Sequence, residues 1–429
     1  MIQRPDHVMN TSSAQTASSS AERLGVVPQL GRLLPLKTKD EVRAALETFD
    51  AYIVGVPEKT AGAVLNVIKN TLPDLKTADF QHLRRVAGFE FLPEHLQTIV
   101  SPAQTPETLD DDDVMLQKHL KGKVRFILIC PAACIQQSDL EDALARNHPF
   151  VKAGMPPRIF TIPVPTFAPT SHEQAALWSL GYWPISYKNS NPYGPHPSIV
   201  SRNTADIEKF AGTWLALAEA AARQINNMDL GERIGCVIVS KTDTTQEIIT
   251  VAGDCRWRSP TGKPMSKDGP GNVMAHAVQR AIAMVAKKRL RAAGIDSDSV
   301  CDSPMFCNLP ITDLEDQFYY LNNAPPSGYL CLDLDIYTTH EPCVMCSMAI
   351  LHSRFRRCVF RRRMPLTGGM TADGAKPAGD ENIKGGTNGA GLGHGIFWRP
   401  SELNWKFLAW EWENADATDS DSHIEDTLQ

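Results

Sequence analysis

One stretch constrains the chain more than any other: CLDLDIYTT (331–339) running into His340-Glu341-Pro342-Cys343-Val344-Met345-Cys346. Apolar and polar residues alternate along 331–339, as they do on a half-buried strand. Pro342 then suits the first turn of a helix, which the pattern carries to about Ser353. A strand therefore feeds a helix that opens on two cysteines three apart, on one helix face. Free N–H groups and the positive helix end stabilise thiolates there. Alone, this motif leaves three readings open: part of a metal site, a redox pair at a strand-to-helix junction, and coincidence in a chain with ten cysteines.

The second candidate ligand is His276, in VMAHAVQRAI (273–282). A lone histidine on a helix is usually structural. This one sits near the start of a helix that follows a predicted strand pair, IGCVIVS and EIITVAG, and precedes the cysteine segment. Residues two apart lie about 200° round a helix, so His276 and Val278 share no face. Groups at these two positions converge on one point only at a helix end. Val278, Ile282 and Val285 also form one apolar stripe, which reads as core.

The expected organisation is an α/β protein with two domains. Residues 1–30 are expected as a disordered arm, being Ser/Thr-rich without an apolar signal stretch; Asp6 and Glu22 count against a transit peptide. Residues 31–154 read as a smaller N-terminal α/β domain: helices at 41–49, 61–72 and 140–147, strands at 51–57 and 124–130. The Pro-, Asn- and Ser-rich stretch 155–202 reads as an irregular arm and linker. A larger α/β domain is expected over 203–413, opening on a long helix capped by Thr204 and interrupted by an insertion at 291–328. Residues 414–429 read as an acidic disordered tail. No apolar run reaches the roughly 18 residues of a membrane span.

The net charge of −6 is unevenly placed: 411–429 hold seven acids and no Lys or Arg, Asp110 to Asp113 add four, and the remainder carries +5. A mildly basic body permits an RNA partner. Arg354 to Arg363 (RFRRCVFRRR) holds six arginines: Arg354, Arg356, Arg357, Arg361, Arg362 and Arg363. It reads either as a solvated strand with basic ends or as a phosphate-contacting one. Lys287, Lys288, Arg289 and Arg291 suit the negative end of their helix. Arg84 and Arg85, beside His82, mark a candidate RNA face of the first domain. The Gly-rich 384–395 does not link a strand to a helix in a βαβ unit, so it is no dinucleotide loop. LNWKFLAWEW (403–412) reads as a core strand.

Taken together, His276-Ala277-Val278, Thr339 through Ala349, His352-Ser353-Arg354, Gly393 through Trp398 and Leu403 through Phe407 resemble the cytidine/deoxycytidylate deaminase superfamily, in its tRNA adenosine deaminase branch. Gln81 through Val86 and Trp183-Pro184 resemble the N-terminal domain found in that branch. The superfamily signature, H-x-E…P-C-x-x-C, holds zinc on His and two Cys and uses the Glu as proton shuttle. The resemblance implies a three-layer α/β/α cytidine-deaminase-like domain with a mixed sheet, Zn2+ on His276, Cys343 and Cys346, and a location in nucleus and cytoplasm. Val278 occupies the Glu position, so no catalytic residue is expected. The chain then resembles the branch's non-catalytic subunits, which pair with a Glu-bearing catalytic deaminase subunit and act with it on the wobble adenosine of tRNA. Two alternatives stand beside this: an active deaminase whose proton shuttle has moved, to Glu341 or Glu381, and a homo-oligomeric RNA-binding scaffold.

Overall fold

The computed structural model describes residues 25–72, 80–100, 124–153, 157–241, 246–259, 271–296, 305, 307–324, 329–373 and 393–415. Residues 1–24 and 416–429, most of the expected arm and tail, lie outside these, as does most of the Gly-rich segment. No described helix is long and apolar enough to cross a membrane. The described residues form two compact units. One gathers the chain up to Lys39 with everything from Ser198 onward, and the other is Asp40–Pro197.

The chain opens with β1 (Gly31–Pro35) and then enters the smaller unit. There it forms α1 (Lys39–Leu46), β2 (Thr48–Pro57), α2 (Ala61–Thr71), β3 (Val86–Gly88), α3 (Glu94–Val100) and β4 (Val124–Pro131). α4 (Gln137–Ala145), α5 (Phe150–Ala153), β5 (Ile159–Pro165) and α6 (His172–Gly181) complete it. Its four strands run in the order β3-β4-β2-β5, every neighbour antiparallel. Side chains alternate across the sheet. Ala51, Ile53, Phe126 and Leu128 face a core with Leu96 of α3 and Trp178 of α6. Val54, Val56, Ile127 and Ile129 face one with Val64 of α2 and Leu140 of α4. Both faces are therefore buried.

The expected linker at 155–202 is corrected here. It contains β5 and α6, and the latter is capped by Ser171, whose side chain accepts from the Gln174 N–H at 3.1 Å. The prolines that suggested irregular chain, Pro163 and Pro165, lie on an edge strand bonded only to β2, where a missing N–H is tolerated.

The larger unit continues with α7 (Pro197–Asn227), β6 (Gly235–Lys241), β7 (Gln246–Gly253), α8 (Ala277–Ala292) and α9 (Asp313–Tyr319). It ends with β8 (Leu334–His340), α10 (Val344–His352), β9 (Arg357–Arg362) and β10 (Leu408–Asn414). Its six strands lie in the order β1-β10-β9-β8-β6-β7. β8, β9 and β10 are parallel, while β1, β6 and β7 make the antiparallel pairs of a mixed sheet. Val237, Tyr337, Val359 and Trp410 pack on α7 through Trp214, Leu217 and Ala221. The opposite face packs Ile238, Ile336 and Cys358 on Ala281 and Val285 of α8 and Ile350 of α10. The expected three layers are present. α7 lies so close to β6 that a Cβ on Gly235 would stand 2.0 Å from the Ala218 carbonyl oxygen.

Two local expectations are corrected. α7 begins at Pro197, and Thr204 is no cap: its hydroxyl donates to the Val200 carbonyl at 3.0 Å and accepts from Trp410 Nε1 at 2.9 Å. β1, expected in the first domain, pairs with β10 in the larger unit.

Candidate metal centre

Two helices start at one place. His276 is the N-cap of α8 (φ −60°, ψ 142°) and Cys343 the N-cap of α10 (φ −60°, ψ 170°), each still extended as its chain enters the helix. Cys346 follows in the first turn of α10. His276 Nδ1 lies 3.7 Å from Cys343 Sγ and 3.6 Å from Cys346 Sγ. All three ligand atoms fall within 4.8 Å of one another, with His276 and Cys346 buried and Cys343 partly so. Metal–N and metal–S bonds of about 2.0 and 2.3 Å at a tetrahedral angle place N and S about 3.5 Å apart. The donors therefore fit one tetrahedral cation. A hydrogen bond from the Cys346 thiol, aided by His276, brings Cys343 down to about 4 against the cost of burial. Cys346, whose proton Cys343 holds in place, is pushed well up. Both helix N-termini add positive potential at the same point.

Val278, in the second position of α8, is 4% exposed and packs in the core beneath that helix. It carries no group that moves a proton. Glu341 is fully engaged elsewhere. Its Oε1 accepts from the Met370 N–H (3.0 Å), the Thr371 N–H (2.8 Å) and Thr371 Oγ1 (2.9 Å), and its Oε2 from the Met364 N–H (3.1 Å). Burial raises its pKa, and these bonds act in the opposite sense. Glu341 thus shapes the loop after β9, which returns over the metal-site helix through Val344 N–H to Thr367 O at 3.2 Å and Gly369 N–H to Pro342 O at 2.9 Å. Glu381 lies outside the described residues.

Sequence reasoning missed the buried pair beside the centre. Asp254 is wholly buried and accepts from Arg256 Nε at 3.0 Å and from the Arg256 N–H at 3.1 Å. Burial lowers the Arg256 pKa, but Asp254, Glu232 and Cys343 together raise it above its ordinary value. The signal was only an Asp-x-Arg at the end of β7, with no period to mark it.

The arginines expected at a phosphate face are largely committed inside the larger unit. Arg357 is the clear correction. It is 1% exposed and pairs with Asp335 at 2.6 Å and Asp206 at 2.6 Å, out of reach of a nucleic acid. Arg356 forks onto the same Asp335 at 3.1 Å from each nitrogen. Arg363 pairs with Glu411 at 2.8 Å and Asp373 at 2.5 Å, and Arg362 stands 3.6 Å from Glu219. Arg354 donates to the Asn404 carbonyl at 3.1 Å and lies over the Trp405 and Tyr329 rings; Arg361 is half-buried.

The basic end of α8 is likewise internal. Lys288 donates to the carbonyls of Ile249 (2.7 Å) and Phe318 (2.9 Å) and to Asn323 Oδ1 (2.7 Å). Arg289 donates to Leu330 O at 2.6 Å and Arg291 to Tyr319 O at 2.5 Å. These bonds pin the expected insertion onto the fold. In the smaller unit Arg84 is exposed and Arg85 half-buried, and both line a cavity.

Residues 209–362 match the family model described as the cytidine and deoxycytidylate deaminase zinc-binding region. The tRNA-specific adenosine deaminase subunit tad3 of Schizosaccharomyces pombe is 28% identical over 66% of this chain and 67% of its own length. Subunit TAD3 of Saccharomyces cerevisiae is 31% identical over 49% of this chain and 51% of its own. A probable inactive tRNA-specific adenosine deaminase-like protein 3 of Danio rerio is 30% identical over 50% of this chain and 54% of its own. The matched stretch thus spans two thirds of the first relative and about half of the other two. With the three-donor centre and the valine beside it, the chain is thus similar to Tad3-type subunits of tRNA-specific adenosine deaminase and, over 209–362, to the cytidine and deoxycytidylate deaminase zinc-binding region.

Proposed function

We propose that this chain is the non-catalytic, zinc-holding subunit of a tRNA adenosine deaminase complex that converts the wobble adenosine to inosine. In that complex a Glu-bearing subunit carries the chemistry. One observation carries the reading: a complete His276–Cys343–Cys346 donor set stands beside a buried Val278, and the neighbouring carboxylate, Glu341, is bound to four loop donors. In deaminases with this signature the bound zinc activates a water and the Glu shuttles protons to ring and leaving group. Here His276, Cys343 and Cys346 would hold the ion and so tie two helix starts together. Val278 fills the shuttle's place with hydrocarbon, which moves no proton. The names carried by the Tad3 relatives suggest the tRNA substrate and the subunit role, and of the arginines expected at RNA, Arg84 and Arg85 line a cavity.

The test is reconstitution. The purified chain is expected to contain about one zinc and to leave adenosine in tRNA unchanged. Activity is expected on adding a Glu-bearing deaminase subunit, with the two eluting together. Turnover by the chain alone would overturn the reading.

A further inference from the structure

The smaller unit holds two adjoining cavities, of about 630 and 470 Å³, within the size range of small-ligand sites. They share Gln81, Ser186 and Lys188, and Lys188 Nζ donates to Gln81 Oε1 at 2.9 Å on the border between them. The first is basic: Arg84, Arg85 and Lys188 line it, with no acid among the described residues. Arg85 Nη1 is buried and has no hydrogen-bond partner among the described residues, an unusual state for a guanidinium nitrogen. The second is aromatic: Phe167, Tyr187 and Tyr193 line it, again without an acid. Phe167 and Tyr193 meet edge-to-face at 5.6 Å in its wall. Glu173, whose charge reaches Tyr187, stands outside both linings.

The walls are fixed. The Ser186 N–H donates to His82 O at 2.7 Å, Trp183 Nε1 to Arg84 O at 2.8 Å, and the Tyr187 hydroxyl to Thr170 O at 3.2 Å. His82 Nε2 is bonded to Pro165 O at 2.9 Å. A hollow lined by three cationic side chains calls for an anion. An aromatic hollow joined to it calls for a flat ring on the same molecule. Charged grooves beside stacking platforms are how proteins hold unpaired nucleotides.

We propose that the two cavities together hold one unpaired nucleotide, its phosphate against Arg85 and Lys188 and its base against Phe167. The proposal rests on the RNA-binding part of the reading above and narrows it from a basic face to a nucleotide seat.

Binding to the full-length chain is measured with a labelled ten-nucleotide single-stranded RNA, a blunt RNA duplex of the same length, and AMP as competitor. The single strand is expected to bind in preference to the duplex. Phe167→Leu is expected to weaken it by about tenfold, within the range of base–aromatic stacking. Lys188→Ala and Arg85→Gln are each expected to weaken it and to flatten its salt dependence by about 0.7 in the log–log slope. Lys188 is exposed, so its variant keeps the test sound if Arg85→Gln fails to fold. Displacement by AMP assigns the seat to a free nucleotide as well; single-strand binding that AMP leaves untouched assigns it to a nucleotide within a strand. Equal affinity for duplex and single strand, with Phe167→Leu silent, overturns the seat but leaves the basic face standing. If Arg84→Ala and Lys188→Ala change neither RNA binding nor tRNA deamination by the reconstituted complex, the RNA reading of this unit falls with it.

Discussion

The arginine run at 354–363 and the arginine pair at 84–85 carry the same side chain in different circumstances. In the run, Arg356 and Arg357 converge on one buried Asp335, Arg363 bridges Glu411 and Asp373, and Arg354 lies against two aromatic rings. In the pair, among the described residues, no acid lines the cavity that Arg84 and Arg85 share, and a buried guanidinium nitrogen has no hydrogen-bond partner. Six cations in ten residues speak less for a nucleic-acid surface than two cations facing a hollow. What matters is how many anions the fold has already set against them.

That contrast, between groups committed to the interior and groups turned toward a ligand, can be broken by substitution. The largest effect is expected at the centre. Cys343→Ala should empty the metal site, read as zinc per chain, and cost on the order of several kcal/mol in unfolding free energy, because ion binding is folding free energy there. Unchanged metal content would remove the site from the committed class. Next comes Arg357→Met, which leaves Asp335 with a share of its charge uncompensated in the interior; about 3–5 kcal/mol is expected by denaturant unfolding. A loss under about 0.5 kcal/mol would mean that the run is surface after all. Val278→Glu forces a carboxyl into packed hydrocarbon, with an expected cost of about 1–3 kcal/mol. It should produce no deamination by the isolated chain; inosine formed by this variant would show an open pocket beside the metal. Arg84→Ala is expected to be the mildest, within about 0.5 kcal/mol in stability, with its effect confined to RNA affinity. A large drop in melting temperature would place Arg84 among the committed groups and dissolve the comparison.

Most of the larger unit's architecture was legible. The strand pair of β6 and β7 and the helix after His276 follow from local pattern, the helix expected from Pro342 begins at Val344, and the three donors came together only through the resemblance to the deaminase signature. Periodicity reports which face is buried, and a helix N-terminus announces itself through its first residues. The misreadings share one cause. Whether Arg357 is solvated depends on Asp206, 151 residues away, and whether Pro163 breaks a strand depends on which edge of the sheet it occupies. Neither partner is visible in a local window. Glu341 was readable as part of a motif but not as the organiser of a loop near Thr371, because its four donors lie 23 to 30 residues downstream. The seat around Phe167 fell within a stretch whose prolines suggested a linker.

β1 is five residues long, yet its place beside β10 changes what kind of object the smaller unit is. Because the larger sheet takes a strand from before Asp40 and the rest from after Pro197, the smaller unit is an interpolation within its host and not an appendage to it. It leaves and re-enters by two covalent connections, so severing either one releases nothing. Expressing residues 198–429 alone would strip a strand from the sheet and expose the hydrogen-bonding rim of β10 to whatever extended chain is nearby.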